Sequence, residues 1–152
     1  MINIMILKSI INYFWTINNL LILIMMTIVV LVLEIVLASI FIYFGLSKLI
    51  LPIEKIEKKV SWANDYPLNR LKIFGLLEVL GWIGLIIPHQ LNIFPILTPV
   101  AATGLAMIMS GAIAVHLKRD ELMMIIVNIV LIFLLAGVGF NSLLETWNQL
   151  LP

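Results

Sequence analysis

The sequence predicts an all-α membrane protein: an antiparallel bundle of four transmembrane helices preceded by an amphipathic helix at the membrane interface. Three observations lead there. Hydrophobic residues make up 63% of the chain and charged residues only 11%, where soluble domains carry about 25% charged residues. Mean hydropathy is +1.20, and one small membrane domain absorbs that much apolar surface. The apolar residues gather into four stretches, 20–51, 71–87, 99–117 and 122–140, each near the roughly 20 residues a helix needs to cross a bilayer. Finally, basic residues collect on one side of those stretches, as the positive-inside rule requires.

Residues 1–19 interrupt an apolar run with Lys8, Asn12, Thr16 and Asn19 at helical spacing, with Tyr13, Phe14 and Trp15 close by. That pattern predicts an interfacial amphipathic helix with its aromatic rings at headgroup depth. No small-x-small pattern follows Leu31, so no cleaved signal peptide is expected. The first span, 20–51, is longer than a crossing needs and contains Glu34. Steps of three and four residues from Glu34 reach Ala38, Phe41, Gly45 and Lys48, a single helical stripe that should face protein.

Pro52 stops that helix, and 52–65 reads as a short amphipathic surface helix with Ile53, Ile56, Val60 and Trp62 on one face. A turn at Tyr66, Pro67 and Asn69 leads to Arg70, which opens the second span. Within it Glu78 is an ionisable group inside an apolar run, and such groups are paired or functional by default. After Pro88 the prolines Pro95 and Pro99 prevent continuation, and Thr98 with Pro99 resembles an N-cap and first-turn proline for the third span. In that span Ala102, Ala106, Ser110 and Ala114 form a small-residue ridge that permits close helix approach. Gly45, Gly75, Gly81 and Gly84 are expected to serve the same purpose. The short turn 117–121 returns the chain into the fourth span, whose notable polar residue is Asn128. Residues 141–152 form an amphipathic tail expected at the interface.

Lys48, Lys55, Lys58, Lys59, Arg70, Lys72, Lys118 and Arg119 lie beside the first and third loops, and Lys8 alone lies on the other side. Both termini and the 88–98 loop are therefore predicted outside, and the first and third loops cytoplasmic.

Composition excludes several chemistries. Without cysteine there is no disulfide, thiolate nucleophile, Cys-ligated zinc or iron–sulfur cluster. A net charge of +1 provides no basic field for nucleic acid. His89 and His116 are the only histidines and stand at opposite ends of their spans, so they cannot clamp one haem; no metal-ligand spacing occurs. Neither a metal nor a covalently bound cofactor is expected. Helical depth instead brings Lys48, Arg70, Glu78, Ser110 and His116 toward a single cytoplasm-facing polar recess, with Glu34, Glu78 and His116 as candidates for a proton relay.

The pieces FIYFGLSKL (41–49), RLKIFGLLEVLGWIGLIIP (70–88) and LTPVAATGLAMIMSGAIAVH (97–116), followed by the span holding Asn128, resemble the DoxX-like family of small four-helix membrane proteins. The family pattern falls on Gly45, Lys48, Arg70, Gly75, Glu78, Gly81, Gly84, Pro88, Ala112 and His116, and the likeness covers about 34–140. Glu34 and the first nineteen residues lie outside that pattern. The resemblance implies a four-helix bundle in the bacterial cytoplasmic membrane. Relatives include a small subunit of a thiosulfate–quinone oxidoreductase, a partner in a redox-stress membrane complex and assembly factors. Three functions are thus expected in order: a non-catalytic subunit or accessory protein binding a quinone, a lipid or a membrane or redox partner protein; a transporter or proton-linked channel; and an assembly factor. The lipid bilayer is the constant partner, and a homo-oligomer is compatible with each.

Overall fold

The computed structural model describes residues 2–58 and 62–150, with side chains described from residue 6 to 149. Expectations resting on Met1, Lys59, Val60, Ser61, Leu151 and Pro152 lie outside the described residues. The chain forms α1 (Ile2–Ile50), α2 (Ile53–Glu57), a 3₁₀ turn at Ala63–Asp65, α3 (Leu68–Leu91), α4 (Leu97–Lys118) and α5 (Leu122–Leu150). Four helices are long and apolar enough to cross a membrane: Ile6–Ile50, Leu68–Leu91, Leu97–Lys118 and Leu122–Gln149. The shortest, at 22 residues, has a length of about 33 Å.

Met1–Val32 and Leu33–Pro152 are two compact units. In the first, the expected boundary between a surface helix and a span is not present: helix runs through residues 19 and 20 without a break. The physical reason is composition, since neither Gly nor Pro occurs before Gly45 and nothing interrupts the backbone ladder. Large apolar side chains are exposed along it, Phe14, Trp15 and Leu23 among them.

In the second unit the helices differ from the predicted spans mainly at their ends. Pro88 does not terminate α3, which continues to Leu91. A proline this near the C-terminus removes one backbone bond, and the residue its ring would crowd is the side-chain-free Gly84. The helix ends instead at Asn92, left-handed with φ 52°, where Ile93 N–H donates to Pro88 O at 3.1 Å, a Schellman closure. Helix α4 closes alike, with Asp120 at φ 55° and Glu121 N–H donating to His116 O at 3.1 Å. At its other end α4 begins at Leu97 with Ile96 as cap. Thr98 therefore does not cap it: turn hydrogen bonds from Leu97 to Phe94 and Thr98 to Pro95 start the helix earlier, leaving the buried Thr98 hydroxyl without a partner. Helix α5 absorbs the expected tail, reaching Leu150.

The core of this unit joins Leu37 and Phe41 of α1, Leu85 of α3, Ala102, Leu105 and Met109 of α4, and Leu135 and Val138 of α5. Glycines let the backbones close. A Cβ on Gly75 would meet Gly45 O at 2.8 Å, and one on Gly81 or Gly84 would overlap Leu105 at 2.5 Å or Ala101 at 2.6 Å. The ridge on α4 packs at one end, with Ala102 buried and Ser110 and Ala114 exposed. A smaller apolar cluster of Ile56, Ala63 and Leu71 seats the α2–α3 connection, carrying Trp62 and Tyr66 at its edge.

Candidate functional site

Where the C-terminal end of α1 meets the N-terminal half of α3, the stripe predicted on α1 is buried along its length: Glu34, Ala38, Phe41, Gly45 and Lys48. Lys48 Nζ donates to Glu78 Oε1. Both residues are withdrawn from water, at 5% and 3% exposure, so the pair offsets a desolvation cost that either charge alone would bear in full. The Gly45–Gly75 approach makes this reach feasible, because it brings the two backbones together within one turn of both side chains. Trp62 lies under the ammonium, 5.8 Å from ring centroid to Nζ, an additional cation–π contact.

The pair borders a cavity of about 540 Å³, within the usual size of small-molecule sites. Its wall is aromatic and aliphatic, with Phe41, Phe44, Trp62, Tyr66 and Phe74 prominent, and its polar groups are Lys48, Glu78, His116 and Asn128. Glu78 Oε2 is buried and has no hydrogen-bond partner. Asn128 donates through Nδ2 to Met124 O at 2.7 Å. His116 Nδ1 meets Glu121 Oε2 at 2.6 Å, and Glu121 Oε1 accepts from Arg119, which also donates to Asp65. That chain of contacts ties the α4–α5 turn to the 3₁₀ turn and fixes the imidazole at the cavity wall. Hydrogen bonds to Glu121 and then to Asp65 raise the Arg119 pKa above its ordinary value.

Four lining residues, Phe44, Met107, Met124 and Val127, are also exposed at the outer surface of the unit. The mouth of the cavity is therefore apolar.

Of the predicted recess, the structure brings together Lys48, Glu78 and His116. Arg70 lies exposed on the first turn of α3 and does not line the cavity. Ser110 is exposed and bonds back to Ala106 O at 2.8 Å. Ser110 sits on a face turned away from the cavity, since depth along a helix does not fix azimuth; Arg70 shares the face of Phe74 and Glu78 but lies eight residues before Glu78, about 12 Å along the axis. Asn128, Trp62 and Tyr66 are additions; Asn128 was visible as a lone polar residue in an apolar span.

Glu34 is placed elsewhere. Fourteen residues before Lys48 on the same helix, it lies about 21 Å from it along the axis, and the structure does not bring it to Glu78 or His116. Its partner is His89, whose Nδ1 is 2.7 Å from Glu34 Oε1 and whose Nε2 is 2.8 Å from Glu145 Oε2. Gln90 reaches Glu34 Oε2 at 3.4 Å, and Asn141 donates to Glu145 Oε1 at 2.8 Å. His89 and Glu145 lie just beyond the spans read from the sequence, 71–87 and 122–140, so the sequence did not bring them together. The two carboxylates sit on opposite ring nitrogens and do not converge on a point; among the described residues no group of three His, Cys, Asp or Glu side chains is arranged to hold a metal ion.

Four apolar helices of membrane-crossing length, gathered around buried ionic groups, define a small polytopic membrane protein. The DoxX-like family matches residues 32–138, which take in the Lys48–Glu78 pair and His116 and end within α5. The chain belongs to the DoxX-like family. No curated protein and no solved structure matches it.

Proposed function

We propose that this protein is a non-catalytic membrane subunit or accessory protein that holds a small amphiphile, a quinone or a lipid, in the cavity beside Lys48 and Glu78. The observation that carries the reading is Glu78 Oε2, a buried oxygen without a partner at the wall of a largely apolar cavity. A buried acceptor left unpaired costs about 1–3 kcal/mol, and a ligand hydroxyl supplies the missing donor. Lys48 offers N–H groups to a carbonyl or phosphate oxygen. The aromatic wall accepts a ring or acyl chain, and the apolar mouth admits a ligand already dissolved in the bilayer.

The same reading includes an antiparallel bundle in which both termini and the 92–96 connection face outward. The positions of Lys48 late in α1, Glu78 early in α3, His116 late in α4 and Asn128 early in α5, all on one cavity, support alternating helix directions. The basic residues beside that cavity support a cytoplasmic placement. A membrane-embedded partner protein is the proposed recipient of the ligand.

The test is extraction of small molecules from protein purified in mild detergent, followed by titration with a soluble-headgroup quinone and with short-chain lipids. One of them is expected to copurify or bind, at least tenfold more weakly to Glu78→Gln. Failure of both classes to bind overturns the proposal. Ion flux through reconstituted protein that is lost in Glu78→Gln would replace it with transport.

A further inference from the structure

The cluster of Glu34, His89 and Glu145 stands apart from the cavity and plays no part in ligand binding. Its geometry fixes a proton count. Each of the two N···O contacts, at 2.7 and 2.8 Å, requires one hydrogen between its atoms. A neutral imidazole supplies only one. The cluster therefore holds one proton more than a neutral histidine and two carboxylates, lodged on the ring or on a carboxyl group.

Exposure is graded along the same line. Glu145 is 43% exposed, His89 22% and Glu34 0%, so the three groups lead from the surface to a carboxyl sealed from water. Beyond Glu34 the line stops. On every long helix apolar core residues fall between this cluster and the cavity: Leu37 on α1, Leu85 on α3, Leu105 on α4, Leu135 and Val138 on α5. Helix α4 carries no ionisable residue before His116, and the 92–96 connection carries none. Among the described residues, Glu34 on α1 and Glu145 on α5 are the charged groups that face His89; Gln90 and Asn141 are neutral.

We propose that Glu145, His89 and Glu34 form a proton-loading site, through which the buried Glu34 carboxyl exchanges a single proton with water at that end of the protein. In the loading step a proton on Glu145 Oε2 passes to His89 Nε2 while the Nδ1 proton passes to Glu34 Oε1. The imidazole emerges neutral in the other tautomer, Glu145, which drew that proton from water, is left as the carboxylate, and no electron is transferred. The reverse movement unloads Glu34. Because the dry core lies behind Glu34, the site stores a proton and does not conduct one across the membrane.

The test uses the full chain in lipid nanodiscs. Infrared spectra are expected to contain the carbonyl stretch of a protonated, water-shielded carboxyl that is lost in Glu34→Gln and rises and falls reversibly with pH. After a pH jump that band should respond at least tenfold more slowly in His89→Gln, whose amide can bridge both carboxylates but cannot relay a proton. Since the chain has only two histidines, nitrogen-15 spectra of the labelled wild type give a second readout, with the His89 resonances changing between protonation states over the pH range of the infrared band. A Glu34-dependent band that never appears, an unchanged rate in His89→Gln, or a His89 ring fixed in one state across the titration would each overturn the proposal. If His89→Gln does not fold, the wild-type titration decides.

Discussion

Glu78 is half satisfied: one oxygen takes the Lys48 ammonium and the other takes nothing from the protein. Removing one member of such a pair strands a charge out of water, a change that costs about 3–5 kcal/mol in buried pairs, whereas replacing both by apolar groups is often near neutral. Lys48→Met is therefore expected to lower stability by about that amount, and Lys48→Met combined with Glu78→Leu to recover most of the loss, as read by unfolding in detergent. Equal loss in the single and double variants would mean that the pair does not act as a unit. The exposed Arg119 contacts behave differently. A raised cation pKa contributes stability that is lost only as pH climbs past it, and for an arginine that lies above any working pH, so added base should leave the link intact while added salt weakens it. The expected check is that the stability difference between wild type and Arg119→Gln shrinks with ionic strength. At this scale the sequence was legible where one helix carried the whole signal: Glu34, Ala38, Phe41, Gly45 and Lys48 share a stripe, and the stripe is buried. Partners across helices were not legible, because spacing along one chain segment says nothing about rotation of another. Hence Ser110 stands outside the cavity while Asn128 and Trp62 line it; Arg70 falls short of it at the first turn of α3.

Among the elements, the ends of helices decide which side chains meet. Had α3 stopped at Pro88, His89 would belong to a loop. Because the helix persists to Leu91, the ring is held between α1 and α5. Likewise the extension of α5 past residue 140 presents Glu145 to that ring. Both helices run past the spans read from hydropathy, because packing continues a helix through residues that would end an isolated one. The left-handed closure at Asp120 gives a direct test: Asp120→Gly removes the Cβ penalty and should raise stability by about 1 kcal/mol. The helix crossing at Gly45 and Gly75 gives another. A Cβ on Gly75 meets backbone at 2.8 Å while one on Gly104 meets nothing within 4 Å. Gly75→Val is expected to cost about 1–3 kcal/mol or more and to loosen ligand binding by separating Lys48 from Glu78, while Gly104→Ala leaves both unchanged. Thermal unfolding and ligand titration of the two variants provide the comparison.

Across the whole four-helix unit, polar groups occupy two ends and an apolar core fills the middle. The membrane class and the four spans were legible in composition and run length. The division of the buried charges into two separate groups was not, because Glu34 and Glu78 look alike in sequence, each one carboxylate in an apolar helix. Orientation is testable because the chain lacks cysteine: a single thiol introduced as Lys118→Cys should react with an impermeant reagent only from the cytoplasmic face, and one introduced as Asn148→Cys only from the opposite face. The reverse pattern would invert the assignment. The apolar mouth formed by Phe44, Met107, Met124 and Val127 also changes what an affinity means. A ligand that arrives sideways is first concentrated by partitioning into lipid, at about 0.8 kcal/mol per methylene. Apparent dissociation constants referred to water should then tighten with every added carbon even if the tail touches no protein. Only constants expressed as mole fraction in the bilayer would isolate recognition at Lys48 and Glu78, and a homologous series of tail lengths should collapse onto one value when plotted that way.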